Sequence, residues 1–198
     1  MIATAAKTPL SEKVHSKPLG FKSLNDIMKL ELLDALETRE IADIWNQYFS
    51  KRSGISGTIT PQVYARLQET SQRYPFFILP LPKEEGYEFY FLQFSGHQIY
   101  LTSLLEYQTH GSFAKPLFIV THYTDLLSSK NVVLMMGEFG DPDQPRISLQ
   151  EAQNLVYQIQ LFYVTGDDSK RGLLEAFHDN PKDFDYKRLI DALETLQK

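Results

Sequence analysis

A serine beside a histidine can supply a nucleophile and its base, and "FSGHQ" sets Ser95 and His97 on either side of Gly96. The stretch reads as a hairpin turn centred on Ser95 and Gly96, where neighbouring side chains diverge, and no nucleophile elbow G-x-S-x-G occurs. His110 and His122 lie on or near segments that read as strands. Glu106 precedes His110 by four residues, a spacing that shares one face if the segment is extended. Such a set has the right donor atoms for a metal, but no H-E-x-x-H, C-x-x-C or EF-hand loop fixes a coordination geometry. "GDPDQPR" and "TGDDSKRG" lack the periodic ligands of a calcium loop and the G-x-x-x-x-G-K-[ST] of a phosphate loop, so both read as polar connections. The carboxylate pairs Glu84–Glu85 and Asp167–Asp168 are chain neighbours in loops, where solvation removes the need to share a proton. The expectation is a chain that is not an enzyme, with no catalytic residue, no metal ligands and no cofactor.

The bulk properties narrow the classes further. A net charge of −5 gives no positive field for nucleic acid or anionic lipid. No apolar run reaches the ~18–20 residues that span a bilayer, so no membrane insertion is expected. With no cysteine there is no disulfide framework, zinc ribbon or thiolate chemistry, which suits a reducing compartment. Hydrophobic content of 42% against 23% charged residues is that of a globular chain, and 198 residues suffice for one domain with a substantial core. The first 23 residues carry four lysines against one acid. They fit either the remnant of a mitochondrial presequence or a flexible arm, the lack of arginine speaking against the former.

The elements that must position any site follow from periodicity. "SLNDIMKLELLDALE" from Ser23 places Leu24, Ile27, Met28, Leu32 and Leu36 at helical spacing. "TREIADIWNQYFSKR" reads as a second helix with Thr38 as its N-cap and Ile41, Ile44, Trp45 and Tyr48 on one face. The glycines of "SGISGTIT" read as a break. Thr60–Pro61 starts a third helix and Pro75 ends it. The period then changes to two: "FFILPLP", "YEFYFLQFS", "HQIYLTSLLEYQ", "PLFIVTHY" and "NVVLMMGEF" read as five strands, the second and third forming a hairpin. Ser148 and Glu151 form a capping box before "SLQEAQNLVYQIQLFYV", and helices over "LLEAFHDNP" and "DFDYKRLIDALETLQ" close the chain. The predicted fold is α+β: a single, mainly antiparallel sheet of about five or more strands over residues 75–139, packed with N-terminal and C-terminal helices. The predicted organisation is a flexible arm over residues 1–22 and one domain over residues 23–198.

Residues 73–94, "RYPFFILPLPKEEGYEFYFLQF", hold eight aromatic rings. Alternation sets Tyr87, Phe89, Phe91 and Gln93 on one face and Glu88, Tyr90, Leu92 and Phe94 on the other, so both faces are largely apolar. One face must pack on helices; the second is core or an exposed patch. Met135 and Met136 offer a further adaptable apolar surface or core filling.

Four segments, "IADIWNQYFSKR", "YPFFILPLPKEEGYEFYFLQFSG", "NVVLMMGEF" and "EAQNLVYQIQLFY", resemble in order and spacing the assembly chaperones of the catalytic head of the mitochondrial F-type ATP synthase. The resemblance runs from Ile27 to Leu196. Its most specific strings are "LPxxEGYEF" from Leu81 and "QxQLFY" from Gln158, and residues 1–22 have no counterpart in it. Within the family it points to the member that binds the unassembled β subunit. The resemblance implies a monomeric protein of the mitochondrial matrix that holds the free β subunit, prevents its aggregation without ATP and releases it to the α subunit. The expected client contacts lie at the strand edge and hairpin: Phe76, Phe77, Leu81, Pro82, Glu85 and Tyr87. The alternative from a different class is a small α+β hydrolase or ligand-binding domain. It requires an enclosed cavity on which at least two of Ser95, His97, His110 and His122 converge.

Overall fold

The computed structural model describes residues 22–194. The described residues divide between Leu36 and Glu37 into two compact units. Of the arm expected over residues 1–22, all but Lys22 lies outside the described residues. In the first unit Ser23 caps α1 (Leu24–Ile27) and forms a capping box with Asp26. The single helix expected here is interrupted: Met28 turns extended, and Leu30–Leu32 form a separate 3₁₀ turn. Asn25 Oδ1 accepts the Leu30 N–H at 3.4 Å, an alternative to continued helical bonding.

The second unit is built on one antiparallel sheet of six strands in the order β1-β6-β5-β4-β3-β2, with β1 Gly54–Ile59, β2 Phe76–Lys83, β3 Gly86–Ser95, β4 Gln98–Ser103, β5 Phe118–Tyr123 and β6 Val133–Phe139. The helices are α2 Thr38–Phe49, α3 Pro61–Arg73, α4 Leu104–His110, α5 Leu127–Lys130, α6 Leu149–Gln160, α7 Asp168–Asp179 and α8 Tyr186–Glu194. The α+β class and the antiparallel sheet are as the periodicity predicts.

Four local expectations are corrected. The glycine-rich "SGISGT" stretch is strand β1, not a break; a Cβ on Gly54 would lie 2.7 Å from the Gly137 carbonyl oxygen, so close pairing with β6 requires glycine there. "HQIYLTSLLEYQ" is half strand and half helix, because after Ser103 the chain folds back so that Tyr107 of α4 stacks on Phe91 with centroids 4.0 Å apart. In "TGDDSKRG", Asp167 accepts the Lys170 N–H as N-cap of α7, so the expected loop is the first turn of a helix. Glu37, not Thr38, is the N-cap of α2, and the Thr38 hydroxyl donates to the Lys130 carbonyl at 2.8 Å.

The registers assign every strand residue to a face. On one face Phe77, Leu79 and Leu81 of β2 lie beside Tyr90 and Leu92 of β3, Ile99 and Leu101 of β4, Phe118 and Val120 of β5, and Val133 of β6, all buried. Phe77 meets Phe162 and Phe177, Phe94 meets Tyr163, and Tyr64 of α3 meets His122, so α3, α7 and the segment after α6 cover this face. The opposite face is covered in part. Trp45 of α2 packs on Tyr123 and donates its Nε1–H to the Met135 carbonyl at 3.0 Å, while α4 covers Phe91.

The two edges of the sheet are finished differently. β2 carries Pro80 and Pro82, which lack N–H donors. Gln158 of α6 donates to the Pro80 carbonyl at 2.8 Å, and Tyr163 donates to the Tyr74 carbonyl at 2.9 Å. After α6 the chain passes through five residues of π-helix, Leu161–Thr165, which bring Phe162 and Tyr163 inward. The string "QxQLFY" is therefore a clamp on β2. Tyr163→Phe removes one buried donor and leaves the Tyr74 carbonyl unpaired; urea denaturation should show a loss of about 1–3 kcal/mol.

Candidate interaction surface

The β2–β3 hairpin was the main sequence candidate. Lys83 pairs with Gly86, and Glu84 and Glu85 are the two loop residues. Gly86 takes the positive φ of +88° that follows such a turn. Lys83 bonds Glu151 and lies 3.4 Å from Glu88, whose carboxylate also accepts the Tyr90 hydroxyl at 2.7 Å. The bond to Glu151 holds the Lys83 ammonium above its usual pKa. Burial works to raise the Glu151 carboxyl, but bonds from Lys83 and Ser148 outweigh it and keep it low. The Tyr87 hydroxyl donates to Glu194 of α8, which raises its pKa.

The six candidate contact residues separate. Pro82, Glu85 and Tyr87 are exposed and Phe76 is half-buried. Phe77 and Leu81, at 0% and 1% exposure, are core residues and offer no surface. Their parity sends them to the fully covered face, which the apolar pattern of β2 did not distinguish from the other. Met135 and Met136 are likewise buried.

Sequence reasoning missed three exposed features. The register aligns Phe76, Gln93, Tyr100, Ile119 and Glu138 in one row across the partly covered face, and all are half-buried or exposed. Only strand pairing discloses that row. Leu105 and Phe113 near α4 stand 72% and 89% exposed. On α6, Leu149, Gln150, Gln153, Tyr157 and Gln160 form an exposed stripe without charge, which helical periodicity already contains.

Of the alternative set only His97 and His122 come together. Ser95 pairs with Gln98, which pairs with Thr121, so Ser95 shares their face and His122 lies on the opposite one. His110 ends α4, exposed, with Nε2 3.8 Å from Glu106; the four-residue spacing does share a face, on a helix rather than a strand. His97 and His122 do meet: Tyr64 contacts both rings, and the Tyr64 hydroxyl bonds His97 Nδ1 at 2.5 Å. A cleft of about 450 Å³ opens elsewhere, at residues 115–117, 140–141 and 144–146, and none of the four lines it. Among the described residues no cluster of three or more His, Cys, Asp or Glu could hold a metal ion, and no helix is long and apolar enough to cross a membrane.

His122 supplies a pH prediction. Burial lowers its pKa from 6.5 to about 4, so the unfolded state binds the proton more readily. Its contribution to stability is full above pH 6.5 and is lost as pH falls towards 4, at up to ~1.4 kcal/mol per pH unit. A His122→Gln variant should show a flatter stability profile than the parent between pH 6.5 and 4; parallel profiles would refute the assignment.

A family model described as ATP11 protein matches residues 2–190. The chain belongs to the ATP11 protein family. It is 36% identical over 173 residues to the Danio rerio protein named ATP synthase mitochondrial F1 complex assembly factor 1, covering 87% of this chain and 56% of that one. The Homo sapiens protein of the same name is 34% identical over 173 residues, with 87% and 52% covered. Protein atp11, mitochondrial, of Schizosaccharomyces pombe is 30% identical over 194 residues, with 92% and 66% covered. This ATP11-family chain thus spans about half to two thirds of the length of these relatives. The match spans all four segments singled out in the sequence, including the hairpin and the β2 clamp.

Proposed function

We propose that the protein is an assembly chaperone for the catalytic head of the mitochondrial ATP synthase. It binds the free β subunit in the matrix as a monomer, prevents its aggregation without ATP, and releases it to the α subunit. The observation that carries this reading is the ATP11 family match over residues 2–190, with relatives named as F1 complex assembly factors.

The physical role fits the fold. A subunit awaiting its neighbours exposes large, partly apolar interfaces that drive aggregation. A holder must cover them and still yield to the native partner, which favours moderate apolar contact with a polar rim. The exposed Pro82, Glu85 and Tyr87 with half-buried Phe76 are of that mixed character, as are the uncharged α6 stripe and the row through Tyr100 and Ile119.

Light scattering of free β subunit diluted from denaturant tests the reading. With an equimolar amount of this protein and no nucleotide, aggregation should fall several-fold. No suppression, or suppression only with ATP, would contradict it.

A further inference from the structure

The asymmetry of the two sheet edges has a functional reading. On β2, two prolines remove donors and side chains from α6 and the π-helical segment cap carbonyls at and before the strand. β1 carries neither a proline nor a side-chain cap on its carbonyls, although residues of α2 and α6 lie against it. From Ser53 to Thr60 it carries no proline and no charged residue, and two of its six strand residues are glycine. All six strand residues pair with β6 on the inner side. Among the described residues no hydrogen bond reaches the outer backbone of β1; Ser56 bonds Asn46 through side chains only. Five residues of β1 are half-buried and Thr58 is exposed.

A row of N–H and C=O groups that is unpaired among the described residues selects an extended backbone. Charge selects its composition. Lys51 and Arg52 stand exposed immediately before β1, in a chain whose net charge is −5. Among the described residues neither is in a salt bridge. The Arg52 guanidinium lies 4.2 Å over the Tyr48 ring, a stacking that leaves its edge donors free for a carboxylate. Every strand pair in the sheet is antiparallel, and an antiparallel newcomer would bring its C-terminal end to the Gly54 end of β1.

We propose that the outer edge of β1 receives an extended segment of the client as a seventh, antiparallel strand, with an acidic residue near that segment's C-terminal end facing Lys51 and Arg52. This deepens the proposed function and rests on it. Backbone pairing gives affinity with little demand on client side chains, and it is undone strand-end first when the native neighbour competes.

Hydrogen exchange of the full chain, free and bound to free β subunit, tests it. In the free chain alternate amides of β1, those directed outward, should exchange quickly. In the complex they should slow by at least about tenfold, while the inward amides are unchanged. The Lys51→Glu/Arg52→Glu variant should bind about tenfold more weakly, with most of the difference lost at high salt. Slow outward amides in the free chain would mean the edge is already occupied, and would overturn the proposal. Binding without β1 protection, or with the double variant unimpaired, would also overturn it while leaving the chaperone reading standing. Failure to bind β subunit at all would remove that reading and this proposal together.

Discussion

Phe77→Ala is expected to destabilise the protein by about 3–5 kcal/mol, the range for truncating a buried phenylalanine. The ring is fully enclosed and meets Phe162 of the segment after α6, Phe177 of α7 and Phe184 of the segment after α7. Its loss opens a cavity where the C-terminal half is fastened to the sheet. Tyr87→Ala, ten residues on in the same hairpin, removes an exposed ring and one bond to Glu194, and should cost about 1 kcal/mol or less. Urea denaturation followed by circular dichroism compares them. Similar losses for both would mean that the hairpin does not divide into core and surface as described. The contrast also serves function: a binding defect in Phe77→Ala reports lost fold, whereas one in Tyr87→Ala at unchanged stability reports lost contact.

Trp45→Ala should be of similar size, about 3–5 kcal/mol. Trp45 is the single tryptophan and fully buried, lying against Phe49 and Tyr123 and donating to the Met135 carbonyl. It joins α2 to the sheet at β5 and β6, so its truncation removes packing and leaves a strand carbonyl without its donor. Trp45→Phe keeps much of the apolar contact and loses only the donor, for an expected cost of about 1–3 kcal/mol. If Trp45→Phe unfolds at the parent's urea midpoint, the Nε1 bond contributes nothing.

Where local chemistry was unambiguous, the fold was legible. Thr60–Pro61 started α3 and the Ser148–Glu151 capping box started α6, because both signals satisfy specific backbone groups. Five strands were readable from alternation, and Gly96 with φ +58° confirms a tight β3–β4 turn, though it spans Gly96 and His97 rather than Ser95 and Gly96. β1 was hidden because Gly54 and Gly57 look like breakers; only contact with β6 shows why glycine suits a strand there. α4 was hidden because Leu104 and Leu105 continue the apolar alternation of β4, and stacking of Tyr107 on Phe91 decides the fold-back. The site was less legible than the fold. Phe77 and Leu81 could not be told from surface residues while both faces of β2 read as apolar, and the row from Phe76 to Glu138 exists only through register.

The proposed role is to hold one subunit of the catalytic head before assembly. Co-purification with free β subunit, against free α subunit as control and intact catalytic head as competitor, tests it most directly. A complex with β alone that disappears once β is assembled with α is the expected result. Equal indifference to both subunits would contradict it.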